Sequence, residues 1–68
     1  MRFNVCQVSD EVRDGFKVLD RRTGREVSTH NPESLTRSGW LYRWAAELIS
    51  VRLNADFDQW AHWYGVEE

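Results

Sequence analysis

Apolar and polar positions change period along this chain, and the changes mark its elements. From Met1 to Val8 the chain reads as a strand, with Phe3 and Val5 pointing one way and Cys6 and Val8 the other. That shift predicts a strand covered on both faces, or a bulge. Ser9 to Gly15 is a polar connection in which Asp14-Gly15 is a turn signal. Phe16 to Asp20 is a second strand, with Phe16 and Val18 on one face. Asp20-Arg21-Arg22-Thr23-Gly24 has the order of a type I turn closed by a glycine, and Arg25 to Thr29 follows as a third strand. Folding about that turn sets Val18 opposite Val27 and Asp20 opposite Arg25, a pair of opposite charges. The three strands together predict an antiparallel meander.

From Asn31 to Asn54 the period becomes helical. Asn31 suits a helix cap, Pro32 the first helical position and Glu33 the positive helix start. Gly39 interrupts the pattern, at a cost of about 1 kcal/mol against alanine in a helix interior. It allows either a continuous helix with a close backbone approach, or a short turn over residues 32–37 and a main helix capped by Ser38; the second is preferred. At 100° per residue, Leu41, Trp44, Ala45, Leu48 and Arg52 fall on one line, flanked by Trp40 and Val51 on one side and by Tyr42 and Ile49 on the other. Arg43, Glu47, Ser50 and Asn54 share the polar side. An apolar arc this wide predicts a helix covered on two sides. Asp56 then caps a second, short helix, with Gln59 three residues on. Phe57, Trp60, Ala61 and Tyr64 form its apolar face, Trp63 lies on the flank, and Gly65 is the stop. The expected fold is α+β: one domain over residues 1–68, with a three-stranded antiparallel sheet packed on one long helix and a short C-terminal helix closing the other side.

Length sharpens this picture. A chain of 68 residues with a single cysteine, Cys6, has no disulfide framework, so its four Trp, three Phe and two Tyr must supply much of the stabilisation. Self-association or partner binding is a natural supplement at this size. The net charge is −2, and it is uneven: residues 1–30 hold six basic and five acidic side chains, residues 31–68 three and six. A duplex-binding protein usually presents a basic face, so nucleic acid is not the expected partner. Arg2 is followed by no continuous apolar run, and no stretch approaches the roughly 18 apolar residues of a membrane span. The expectation is a cytoplasmic protein with no membrane partner.

Candidate chemistry is sparse. Cys6, His30 and His62 are the ligand types that suit zinc, with Asp58 or Glu68 as a fourth, but their spacing matches no known zinc motif. Cys6 with a histidine is also a nucleophile pair on paper, yet a cysteine inside a strand is more often a packing residue. There is no nucleophile elbow, no glycine-rich phosphate loop and no pair of carboxylates on an apolar wall. The expectation is no enzyme, no metal and no cofactor. Arg21, Arg22 and Arg25 form a basic hairpin tip that would serve as the alternative, nucleic-acid-binding surface.

The aromatic residues are the stronger lead. Trp44 and Trp60, at the centres of their stripes, are expected in the core. Trp40 and Trp63 flank the helices, with Tyr42 and Ile49 on the other shoulder, and these four are the candidate protein interface. An open flank of this kind either closes a homodimer or receives a partner protein. In size, composition and organisation the chain resembles the short, cysteine-poor, acidic accessory proteins of phages and mobile elements. Some of those inhibit host or CRISPR machinery by binding it, so the resemblance implies an inhibitor that works by binding a host protein complex.

Overall fold

A computed structural model describes residues 1–9 and 14–67, in the order β1 (Phe3–Ser9), β2 (Asp14–Asp20), β3 (Glu26–Val27), a 3₁₀ turn (Pro32–Ser34), α1 (Arg43–Ala55) and α2 (Phe57–Tyr64). The fold is α+β: a three-stranded antiparallel sheet in the order β1-β2-β3, with two helices on one of its faces. β1 and β2 pair without interruption from Phe3 opposite Asp20 to Ser9 opposite Asp14. The alternation of β1 therefore needs no bulge. Phe3, Val5, Phe16, Val18 and Val27 face the helices, while Cys6, Val8, Lys17 and Leu19 share the other face, where no described helix packs and Trp40 lies over Gly15.

Asp14 and Gly15 lie inside β2, so they do not form the expected turn; the connection itself, residues 10–13, is outside the described residues. Gly15 serves a different need. A Cβ there would come within 2.5 Å of Trp40 Cβ and 3.1 Å of the Leu41 carbonyl oxygen. That space lets the chain before α1 close on β2. Phe16 N–H donates to Leu41 O at 2.8 Å and Leu41 N–H to Phe16 O at 2.9 Å. β3 is shorter than expected because it pairs with β2 only at Val18–Val27 and Leu19–Glu26, and Leu41 takes the remaining stretch of the same β2 edge.

The hairpin tip matches its sequence. Gly24 closes it at φ +75°, which is costly for a residue with a Cβ, and its N–H donates to Asp20 O at 2.8 Å. Asn31 caps as predicted, accepting from Glu33 N–H at 3.1 Å, but it caps only the 3₁₀ turn. Gly39, at φ +88°, belongs to an irregular hairpin over residues 35–41. The main helix therefore starts after Tyr42, four residues beyond the expected Ser38 cap.

α1 rests on β1 and β2 through Ala45, Ala46, Ile49 and Leu53. The two alanines let the helix come close to the sheet, and the larger side chains fill the space on either side. Ser50, assigned by sequence to the polar side, is buried and donates its hydroxyl to Glu47 O at 2.9 Å. α2 starts at the predicted cap, Asp56, which accepts from Gln59 N–H at 3.3 Å, and ends at the predicted Gly65. It packs against α1 by burying Ala61 and Tyr64, and Phe57 stacks on Phe3 with ring centroids 6.0 Å apart.

Candidate functional site

The core stripe of α1 is turned well away from the line that periodicity favoured. Ala45, Ala46, Ile49, Ser50 and Leu53 are buried, and on the opposite side Trp44, Leu48 and Val51 lie at the i, i+4, i+7 spacing of a second apolar stripe. Their exposures decide its status: 54% for Trp44, 40% for Leu48 and 62% for Val51. Trp44 is thus not the core residue expected. α2 adds Trp63, exposed to 67%. Trp44, Leu48 and Trp63 line one groove of about 350 Å³ together with His30, Arg52 and Tyr64.

The groove has a fixed wall. Arg52 donates from Nη1 to Tyr64 Oη at 3.0 Å, and its guanidinium lies 4.2 Å from the centroid of the Trp60 ring. That cation–π contact and hydrogen bond hold α2 against α1, with Trp60 half-buried. On the other flank of the stripe, Arg43 Nε donates to Glu47 Oε1 at 3.1 Å across one helical turn in full solvent. The result is an aromatic and aliphatic strip bordered by charge, the usual surroundings of a protein-binding patch.

The four residues singled out by sequence are not brought together. Trp63 is in the patch. Tyr42 is exposed, but at the N-cap of α1 and outside the groove lining. Ile49, at 2% exposure, belongs to the core, because α1 turns it towards the sheet. Trp40 is half-buried over Gly15, with its indole Nε1 enclosed and lacking a hydrogen-bond partner among the described residues. It is held by the hairpin over residues 35–41 and is not a free flank. Sequence reasoning missed Trp44, Leu48 and Val51. The signal for them is the pair Ala45-Ala46: small residues belong where a helix sits closest to a sheet, and a tryptophan does not.

The alternative surface is also in place. Arg21, Arg22 and Arg25 are exposed at the β2–β3 tip. Asp20 sits opposite Arg25 as expected, its N–H donating to Arg25 O at 2.9 Å, but its carboxylate accepts from Arg2 Nε at 2.8 Å and Nη2 at 2.9 Å, because antiparallel pairing brings the start of β1 to the end of β2. Arg2 holds the Asp20 carboxyl at about 2, below its ordinary 3.8, and the Arg22 amide and Thr23 hydroxyl add to the effect. Cys6 lies on the open sheet face, whereas His30 and His62 are exposed near the helices; Glu68 is outside the described residues. Among the described residues, no group of three or more His, Cys, Asp or Glu is placed to hold a metal ion. No helix among them is long and apolar enough to cross a membrane. The chain matches no family model, no curated protein and no solved structure.

Proposed function

We propose that this protein is a non-enzymatic binding module that docks a partner protein through the α1 strip of Trp44, Leu48 and Val51, with Trp63 beside it. One observation carries the reading: α1 keeps three large apolar side chains exposed on the side opposite its core face. Burying them would remove them from water at about 25 cal/mol per Å² of apolar surface. The i, i+4, i+7 spacing is the way a helix presents anchors to a partner's apolar cleft. A phage-type inhibitor would use such a strip to occupy a site on a host protein complex, in line with the resemblance in size and composition.

The test is affinity capture from the native host with tagged protein, repeated with Trp44→Ala and Trp63→Ala combined. The expected result is a captured protein that the double variant loses, with the thermal melt of the variant nearly unchanged. Capture that survives the double substitution would refute the assignment of this surface.

A second reading assigns nucleic-acid binding to the tip. It is favoured by the engagement of Asp20 with Arg2, which leaves Arg21, Arg22 and Arg25 exposed without that carboxylate at their centre. Binding of this kind falls steeply with salt, as counterions are released from phosphate. The protein-binding reading expects no gel shift at sub-micromolar protein and physiological salt. A shift abolished by Arg21→Glu with Arg22→Glu would reverse the ranking.

A further inference from the structure

Among the described residues, β1 has one edge against β2 and one edge with no strand beside it. The outward groups can be identified from the hydrogen bonds. Asn54 brackets Phe3 from the outer side: its Nδ2 donates to Phe3 O at 2.9 Å, and Phe3 N–H donates to its Oδ1 at 3.0 Å. Arg2 O, one residue earlier, faces the other way and accepts from Arg21 N–H at 2.9 Å. By strand alternation, the N–H and C=O groups of Val5, Gln7 and Ser9 point outward like those of Phe3. Those of Val5 and Gln7 have no partner among the described residues. The opposite edge of the sheet is different, since Phe16, Val18 and Asp20 of β2 are met by Leu41, β3 and Arg25.

Proteins usually blunt such an edge with lysine, proline or a bulge. β1 has none of these: Phe3 to Ser9 reads Phe-Asn-Val-Cys-Gln-Val-Ser, without a charge or a proline, and its pairing is continuous.

We infer that β1 pairs with β1 of a second copy, antiparallel about a twofold axis at Gln7, to make a six-stranded sheet. The register follows from Asn54. It occupies Phe3, so the outward run left is Val5, Gln7 and Ser9, and Gln7 is its centre. Gln7 then meets the second copy's Gln7, and Val5 meets its Ser9, so each outward N–H faces a C=O. β1 carries no charge, so pairing it with its own copy sets no like charges opposite each other, and the edge is electrostatically compatible with its own copy. This inference stands apart from the aromatic strip, which lies on α1.

The register places Cys6 opposite the second copy's Val8 in a non-hydrogen-bonded pair, with Cα atoms about 4.5 Å apart. The two Cys6 residues are then offset along the strands to about 8 Å, beyond disulfide reach. Mild oxidation should therefore crosslink Val8→Cys into a dimer through the native Cys6 and the new thiol, and should leave the wild-type chain uncrosslinked. Gln7→Pro removes only an outward N–H, which an edge strand tolerates. In sedimentation equilibrium it should raise the dimer dissociation constant at least about tenfold. Gln7→Lys, which sets two ammonium groups opposite each other, should weaken the dimer in the same direction with circular dichroism unchanged. A wild-type chain that stays monomeric up to millimolar concentration would overturn the inference. So would a dimer indifferent to Gln7→Lys, or one lost with Trp44→Ala.

Discussion

The Asp20 carboxylate accepts two bonds from Arg2 and one from the Arg22 amide at 3.0 Å, and its backbone closes the β2–β3 tip. One nearly inaccessible side chain thus joins the start of β1, the end of β2 and the turn. Arg2 also donates from Nη2 to Glu67 O at 3.0 Å, which brings in the C-terminal end. Since the folded carboxyl titrates at about 2 and the ordinary value is 3.8, the interaction stabilises the fold above about pH 4 and is lost as pH falls from there towards 2. Asp20→Asn should therefore cost about 2 kcal/mol at neutral pH, and the difference from wild type should close in denaturant titrations run towards pH 2. A difference independent of pH would mean that the turn geometry, and not the charge, matters. The position was legible as a turn residue, but its partner was not. The sequence shows Arg25 across the turn, whereas Arg2 arrives only through the β1–β2 register.

Elements were legible where the signal is local. The three strands, the Val18–Val27 pairing, the Asp56 cap and the Gly65 stop all follow from a few adjacent residues. The phase of α1 does not. Its sequence holds two apolar stripes, and periodicity gives no means of telling the core stripe from the exposed one. Packing decides: Ala45 and Ala46 admit the sheet, Ile49 and Leu53 fill the space beneath, and Trp44, Leu48 and Val51 are turned to solvent. Thermal melts separate the two stripes. Leu53→Ala should cost about 2–5 kcal/mol, as for a fully buried leucine. Trp44→Ala, at a surface position, should stay within about 1 kcal/mol of wild type. Equal losses from both would return Trp44 to the core and remove the basis for the binding strip. Gly39 was legible as a break, but not as part of a hairpin whose closure depends on Gly15, more than twenty residues earlier.

At the scale of the molecule, the core is one cluster drawn from the sheet and from both helices: Phe3, Val18 and Val27, then Leu41, Ala45, Ala46, Ile49 and Leu53, then Ala61 and Tyr64. Only a small core fits in a chain of 68 residues, and none of its three sources buries enough apolar surface to stand alone. α2 should therefore melt with the sheet and not as an appendage. Tyr64 tests this best, because it is buried against α1 and its hydroxyl accepts from Arg52, which in turn covers Trp60. Tyr64→Phe keeps the ring and loses the hydrogen bond, a cost of about 1 kcal/mol. Tyr64→Ala also opens a cavity beneath α2 and should cost about 3–5 kcal/mol, by analogy with other large aromatic truncations. In both variants the helical signal at 222 nm and the tryptophan fluorescence should fall in one coincident transition, shifted down in the order Phe then Ala. If the 222 nm signal divided into two steps, with the later one at the wild-type temperature, α2 would be a separate unit. Trp63 would then stand on a helix free to leave α1, and the groove it forms with Trp44 and Leu48 would not be a preformed surface.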